Sequence, residues 1–198
     1  MSETRANKAV FLDRDGTINE EMGYINHISR FRIFDFTAAA LKIFKELGFR
    51  LIVITNQSGV ARGYFDQRLV SEVHHLLKSK LREQQVELDD IFYCPHHPKE
   101  GIGKYKLDCP CRKPKTGMIE KAKTKWDLDL THSLLIGDRY KDIEMAHAAG
   151  LMGVMVLTGY GKGEYTYQKE QWPRMPDFVF ENLLKAATFF KQNPDRLP

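Results

Sequence analysis

The stretch Phe11-Leu12-Asp13-Arg14-Asp15-Gly16-Thr17 decides how the rest of the chain is read. An apolar run ends in two carboxylates two residues apart. In extended backbone, residues i and i+2 point to the same side, so Asp13 and Asp15 can face one site. Gly16 then lets the backbone turn sharply behind them. A lone Asp-x-Asp at the end of a strand is commonly just a polar turn. It gains meaning here from what stands at the ends of the other strands.

Working outward, Lys8 to Leu12 is expected to form a first buried strand, with a loop over its end after Thr17. From Ala38 to Leu47, Ala39, Ile43, Phe44 and Leu47 recur at helical spacing, and Gly48 stands where a helix-ending glycine belongs. Arg50 to Ile54 reads as a second buried strand, ending in Thr55-Asn56-Gln57-Ser58-Gly59. Asp66 is placed to cap a long helix whose Leu69, Val73, Leu76, Leu77 and Leu81 share a face. His74 and His75 lie within it. Adjacent helical positions cannot both face one ligand, so both are expected at the surface or boundary.

Ile91 to Cys94 is a third strand, running into a Pro-, Gly- and Lys-rich loop that reaches Pro114. Thr116 is expected to cap a helix through Trp126. Ser133 to Ile136 reads as a fourth strand, ending in Gly137-Asp138-Arg139. A short helix to Ala149, closed by Gly150, and a fifth strand at Val154 to Leu157 follow. Gly159, Gly161 and Gly163 mark a mobile loop, and an edge strand at Phe178 to Phe180 precedes a helix at Glu181 to Phe190.

Strands alternating with helices predict an α/β fold, a doubly wound, mostly parallel sheet with helices on both faces. One domain is expected across residues 1–198, without a large cap domain. In such sheets ligands bind beyond the carboxyl ends of the strands. Asp13, Thr55, Cys94 and Asp138 all fall at such ends, so their four polar clusters are expected to converge.

Composition narrows the function classes. The formal charge is +4 and hydrophobic residues make up 42% of the chain. That charge suits an anionic ligand but is too weak to argue for nucleic acid, and no dense basic stripe with stacking aromatics appears. No apolar run approaches the roughly 20 residues of a membrane span. Met1 to Lys8 is polar and lacks the apolar core of a secretory signal, so a cytoplasmic location is expected.

Asp13, Asp15 and Asp138 would bring three carboxylates into one crevice, where each raises the others' pKa unless a cation neutralises them. Mg²⁺ suits such a place, because it accepts a few carboxylates together with water and phosphate oxygens. Thr55, Asn56 and backbone N–H groups can donate to a phosphoryl group, and Arg112 and Lys113 add positive charge. A carboxylate nucleophile, a metal, donors and a cation together describe phosphoryl transfer through an aspartyl-phosphate.

The three cysteines are an odd set confined to one loop beside histidines. Cys94-x-His96 and Cys109-x-Cys111 supply three thiolates and an imidazole, the Cys₃His set of tetrahedral Zn²⁺. His97 is a second candidate for the imidazole. Four protein ligands leave no open position, so such an ion would be structural.

Asp13-Arg14-Asp15-Gly16-Thr17, Thr55-Asn56-Gln57, a basic residue and Gly137-Asp138 resemble the motifs of the haloacid dehalogenase superfamily of phosphatases. Asn56 to Gly63, Cys94-Pro95-His96-His97-Pro98 and Cys109-Pro110-Cys111-Arg112-Lys113-Pro114 narrow the resemblance to its heptose-bisphosphate phosphatases. The resemblance covers roughly residues 8 to 160. It implies that Asp13 becomes phosphorylated and that Asp15 serves as acid and then base. It places Mg²⁺ on Asp13, Asp138 and the backbone carbonyl of Asp15, and Zn²⁺ on Cys94, His96, Cys109 and Cys111. Thr55 and Lys113 would stabilise the transferring phosphoryl group, with Lys115 a competitor for the cation role. Substrate contacts are implied for Glu21, Met22, Gly23, Tyr24, Asn56, Gln57, Ser58, Arg62, Arg112 and Arg139. Arg139 stands where relatives carry Lys, which keeps the charge but changes the geometry. Asp142 would either support the metal or face solvent.

The implied reaction is removal of the C7 phosphate from a heptose 1,7-bisphosphate, in nucleotide-activated heptose synthesis for lipopolysaccharide core or related glycans. The expected partner is this small sugar bisphosphate, with no nucleic acid, no membrane and a monomeric chain. Three rival readings are a histidinol-phosphate phosphatase, a polynucleotide 3′-phosphatase and a non-catalytic zinc-stabilised interaction module.

Overall fold

The computed structural model describes residues 7–198, so most of the polar start read from Met1 to Lys8 lies outside the described residues. Among the described residues, six strands form one sheet in the order β3-β2-β1-β4-β5-β6. They are β1 (Ala9–Leu12), β2 (Arg50–Asn56), β3 (Asp90–Cys94), β4 (Leu134–Gly137), β5 (Met152–Val156) and β6 (Phe178–Phe180). Every neighbouring pair is parallel. The order reverses between β1 and β4, the place where a crevice opens beyond the strands' carboxyl ends.

Alternation within each strand feeds two cores. In β1, Val10 and Leu12 pack with Leu51, Val53 and Ile136 on one face, against α1 (Thr37–Glu46), α2 (Gln67–Glu83) and α6 (Leu183–Gln192). Ala9 and Phe11 join Ile52, Ile54 and Leu135 on the other, against α3 (Gly117–Trp126) and α4 (Tyr140–Ala148). Burial on both faces makes β1 apolar at every position. Phe11 is fully buried, and its truncation to alanine would cost about 3–5 kcal/mol.

Asp66 caps α2, its carboxylate accepting from the N–H groups of Arg68 and Leu69. Two expectations need correcting. Thr116 stands at the start of α3, but its backbone is already helical and its side chain makes no capping bond. The glycine-marked segment after β5 is not a plain loop, because Gly161–Tyr167 forms a short helix, α5. Gly161 is there for close approach, since a Cβ would collide with the carbonyl oxygen of Val156. Among the described residues, no helix is long and apolar enough to cross a membrane.

Candidate active site

Beyond the carboxyl ends of β1, β2 and β4 lies a crevice of about 240 Å³. Three acidic residues line it, Asp13, Asp15 and Glu21, against six basic ones, Arg14, Arg62, Arg112, Lys113, Arg139 and Lys141. The crevice is therefore cationic beyond what the modest net charge of the chain implies, and it favours an anionic ligand.

At its floor, Lys113 carries its ammonium between two buried carboxylates, 2.7 Å from Asp13 Oδ1 and 2.7 Å from Asp142 Oδ1. Both pairs keep Lys113 charged well above the ordinary lysine range, although burial opposes this. Burial pushes Asp13 up to about 6, against the pull of Lys113 and with a further push from Asp142. Asp142 thus does not face solvent. It holds the lysine, and its Oδ2 accepts from the backbone N–H of Arg139. Lys115 sits outside the crevice, exposed and paired with Asp108.

Asp138 is fully buried. Its Oδ2 accepts from the Tyr160 N–H at 2.8 Å, while its Oδ1 has no hydrogen-bond partner among the described residues. Burial and then the charges of Asp13 and Asp142 drive its pKa well above the carboxylate range. The ligand atoms of Asp13, Asp138 and Asp142 lie within 4.8 Å of one another. An orphaned buried oxygen beside a second carboxylate of raised pKa fits a hard divalent cation. Two glycines admit this arrangement. A Cβ on Gly16 (φ +83°) or Gly159 (φ +55°) would come within 2.2 Å of Asp138 Oδ2.

The side chain of Asp15 turns away from that cluster. Arg14 grips it from Nε at 3.2 Å and from Nη2 at 2.9 and 2.8 Å, while the amides of Asn19 and Gln57 donate to it at 2.9 Å each. Burial alone would raise its pKa, but Arg14, Asn19 and Gln57 together hold it below the ordinary carboxylate value. Gln57 also donates to Thr55 Oγ1. Asn56, expected as a phosphoryl donor, lines the crevice and brackets the backbone of Lys113, accepting from its N–H at 3.1 Å and donating to its carbonyl at 3.3 Å.

Around the rim, Glu21 accepts from the Gly23 N–H. Burial, then Asp15, pushes Glu21 up to about 7. Arg112 donates to the carbonyl of His96 at 3.0 Å, and Arg62 pairs with Glu100. Gly23, Tyr24 and Ser58 line the same space, whereas Met22 packs against the core beneath it. Arg139 is held by Glu164 at 2.7 Å and lies over the Tyr160 ring. The other oxygen of Glu164 accepts from the N–H of Tyr140 at the start of α4.

Three of these residues escape sequence reasoning. Glu164 sits in a segment that reads as a loop. Lys141 is masked as one charge among many, although a position one helical turn past Asp138 faces the same crevice. Arg14 looks like a solvated residue between two aspartates, yet it is 1% exposed.

Beside the crevice, the ligand atoms of Cys94, His96, Cys109 and Cys111 lie within 4.8 Å of one another. His96 Nδ1 is 3.7 Å from Cys94 Sγ and 3.9 Å from Cys111 Sγ. Cys109 Sγ and Cys111 Sγ are 2.8 Å apart. His97 is turned elsewhere, its Nδ1 accepting from the N–H groups of Lys99 and Glu100. Three thiols and an imidazole gathered this closely fit a thiolate-loving metal.

Residues 110–186 match a family described as HAD-hydrolase-like. The chain is 45% identical over 190 residues to a D-glycero-beta-D-manno-heptose-1,7-bisphosphate 7-phosphatase of Haemophilus influenzae, covering 94% of this chain and 98% of that protein. It is 39% identical over 160 residues to a D-glycero-alpha-D-manno-heptose-1,7-bisphosphate 7-phosphatase of Photorhabdus laumondii, covering 80% and 87%. A D,D-heptose 1,7-bisphosphate phosphatase from B. bronchiseptica, solved with magnesium and phosphate, superposes with a TM-score of 0.82. It is 28% identical, over 94% of this chain and 99% of that one.

Proposed function

Because the chain belongs to the heptose-bisphosphate phosphatases of the haloacid dehalogenase superfamily, we propose that it hydrolyses the C7 phosphate ester of D-glycero-D-manno-heptose 1,7-bisphosphate. The observation that carries the reading is the buried Asp13–Lys113–Asp142 bridge beside the unpartnered oxygen of Asp138, at the floor of a cationic crevice.

In the first half of the reaction, a carboxylate oxygen of Asp13 attacks phosphorus and the bond from phosphorus to the C7 oxygen breaks. Asp15 gives its proton to that leaving oxygen. The approach of a phosphate dianion raises the proton affinity of Asp15 against the hold of Arg14. In the second half, Asp15 takes a proton from water, whose oxygen attacks the phosphoryl group. The bond to Asp13 breaks, and inorganic phosphate leaves. Lys113 neutralises charge on the phosphoryl oxygens, while Thr55 donates to them. Asp13, Asp138 and the backbone carbonyl of Asp15 would hold Mg²⁺, which supplies charge neutralisation at the phosphoryl oxygens.

Arg62, Arg112, Arg139 and Lys141 line the same crevice and would receive the sugar's second phosphate, with the Glu21 to Tyr24 loop against the sugar. Cys94, His96, Cys109 and Cys111 would hold Zn²⁺ as a structural ion. It would brace the loop that carries Arg112 and Lys113, consistent with the contact from Arg112 to the His96 carbonyl.

A kinetic panel tests the reading, with both anomers of the heptose bisphosphate, histidinol phosphate and an oligonucleotide 3′-phosphate as substrates and Mg²⁺ varied. A heptose bisphosphate is expected to show the highest kcat/KM, and Asp13→Asn should abolish turnover of every substrate. Faster turnover of histidinol phosphate would overturn the substrate assignment, and an active Asp13→Asn variant would overturn the mechanism.

A further inference from the structure

Arg14 is the largest side chain in the fully buried interior, and a buried guanidinium needs an acceptor in each direction its N–H groups point. Two directions are filled by Asp15, through Nε and Nη2. The third, Nη1, meets Nε2 of His74 at 3.2 Å. His74 lies on α2, half-buried, while its neighbour His75 is exposed. The boundary position expected for both histidines thus holds two different environments.

The imidazole itself is fixed from behind. Its ring meets the ring of Tyr93 in an edge-on contact with centroids 5.6 Å apart. Tyr93 Oη accepts from the Gln67 amide at 3.1 Å, and Gln67 in turn accepts from the hydroxyl of Tyr105 at 3.1 Å. Facing an arginine that is always charged, His74 must present a lone pair, so Nε2 is bare and Nδ1 carries the proton. Burial, followed by the Arg14 charge, pushes its pKa down to about 3, which agrees with a neutral ring.

We propose that His74 is a positioning residue, which aims the Arg14 guanidinium at Asp15 and so holds the acid/base carboxylate in its working orientation. The proposal rests on the reading of Asp15 given above. A fork fixed at one end only can rotate about its long stem. With an acceptor on Nη1 as well, the guanidinium is fixed on the side away from Asp15 while Nε and Nη2 grip the carboxylate. Nothing in the function already described requires a histidine at this place.

The test compares His74→Leu, which fills the space without an acceptor, with His74→Gln, whose amide oxygen can accept from Arg14. Both are measured against the parent with heptose bisphosphate and with a simple aryl phosphate. His74→Leu is expected to lower kcat about tenfold with KM within about twofold, because misaimed groups act on the chemical step. His74→Gln should retain kcat within about threefold. The nitrogen-15 shifts of the parent imidazole should show an unprotonated Nε2 at pH 7, a measurement that needs no turnover and so stands apart from any failure of the functional reading. Equal kcat in the two variants, a change confined to KM, or a protonated Nε2 would overturn the proposal.

Discussion

Replacing Lys113 by methionine keeps most of the side-chain volume and removes the cation that stands between Asp13 and Asp142. Each of its ion pairs spans 2.7 Å, which at an effective dielectric of about 20 corresponds to roughly 6 kcal/mol of attraction apiece. Desolvating the buried ammonium offsets several kcal/mol of that, and breaking such a pair from one side costs about 3–5 kcal/mol of net stability. For a chain of this length the expected fall in Tm is about 6–20 °C. The assay is thermal unfolding of zinc-loaded protein in magnesium-free buffer from pH 5.5 to 8.5. Burial already raises Asp13 to about 6, and losing Lys113, whose charge lowers both, raises it and Asp138 further. A carboxyl whose folded pKa exceeds its unfolded one costs nothing below the unfolded value. The cost grows as pH rises and is complete above the folded value. The variant must therefore lose stability with rising pH more steeply than the parent, and added Mg²⁺ must recover more of its Tm. Turnover should fall by about 10²–10³. A Tm within about 2 °C of the parent at pH 7.5, or a parallel pH dependence, would show that the lysine does not hold these carboxylates together.

Two further perturbations read other parts of the site. Glu21, which burial and then Asp15 raise to about 7, is neutral below that pH and repels a phosphate above it. KM of the parent should rise from pH 6 to 8.5, while Glu21→Gln shows a flat profile and a higher Tm than the parent at pH 8.5; parallel profiles would refute this. Cys109→Ser should bind less than one zinc per chain by elemental analysis. It should also raise KM more than it lowers kcat, because Arg112 loses its brace on the His96 carbonyl. Full activity and unchanged Tm without zinc would exclude a structural role for the ion.

The fold was largely legible because its signals are local. A strand buried on both faces must be apolar throughout, as Ala9 to Leu12 are, and Asp66 announces α2 through bonds to N–H groups two and three residues on. Topology then carries Asp13 and Asp138 to adjacent strand ends, since β1 pairs with β4. What sequence could not give was the partner of each polar group. Asn56 and Gln57 both line the crevice, but only the folded chain shows that one clamps the Lys113 backbone and the other donates to Asp15. Lys113 and Lys115 differ by two positions in the chain, and only tertiary structure buries the first between two aspartates and leaves the second beside Asp108. Asp142, Glu164 and the Arg14–His74 contact belong to the same class. Residue type and spacing along the chain determine which elements form and which chemistry can be gathered. Hydrogen bonds and ion pairs act over about 3 Å between residues distant in sequence, so which partner each of these polar groups meets was decided only when the sheet closed.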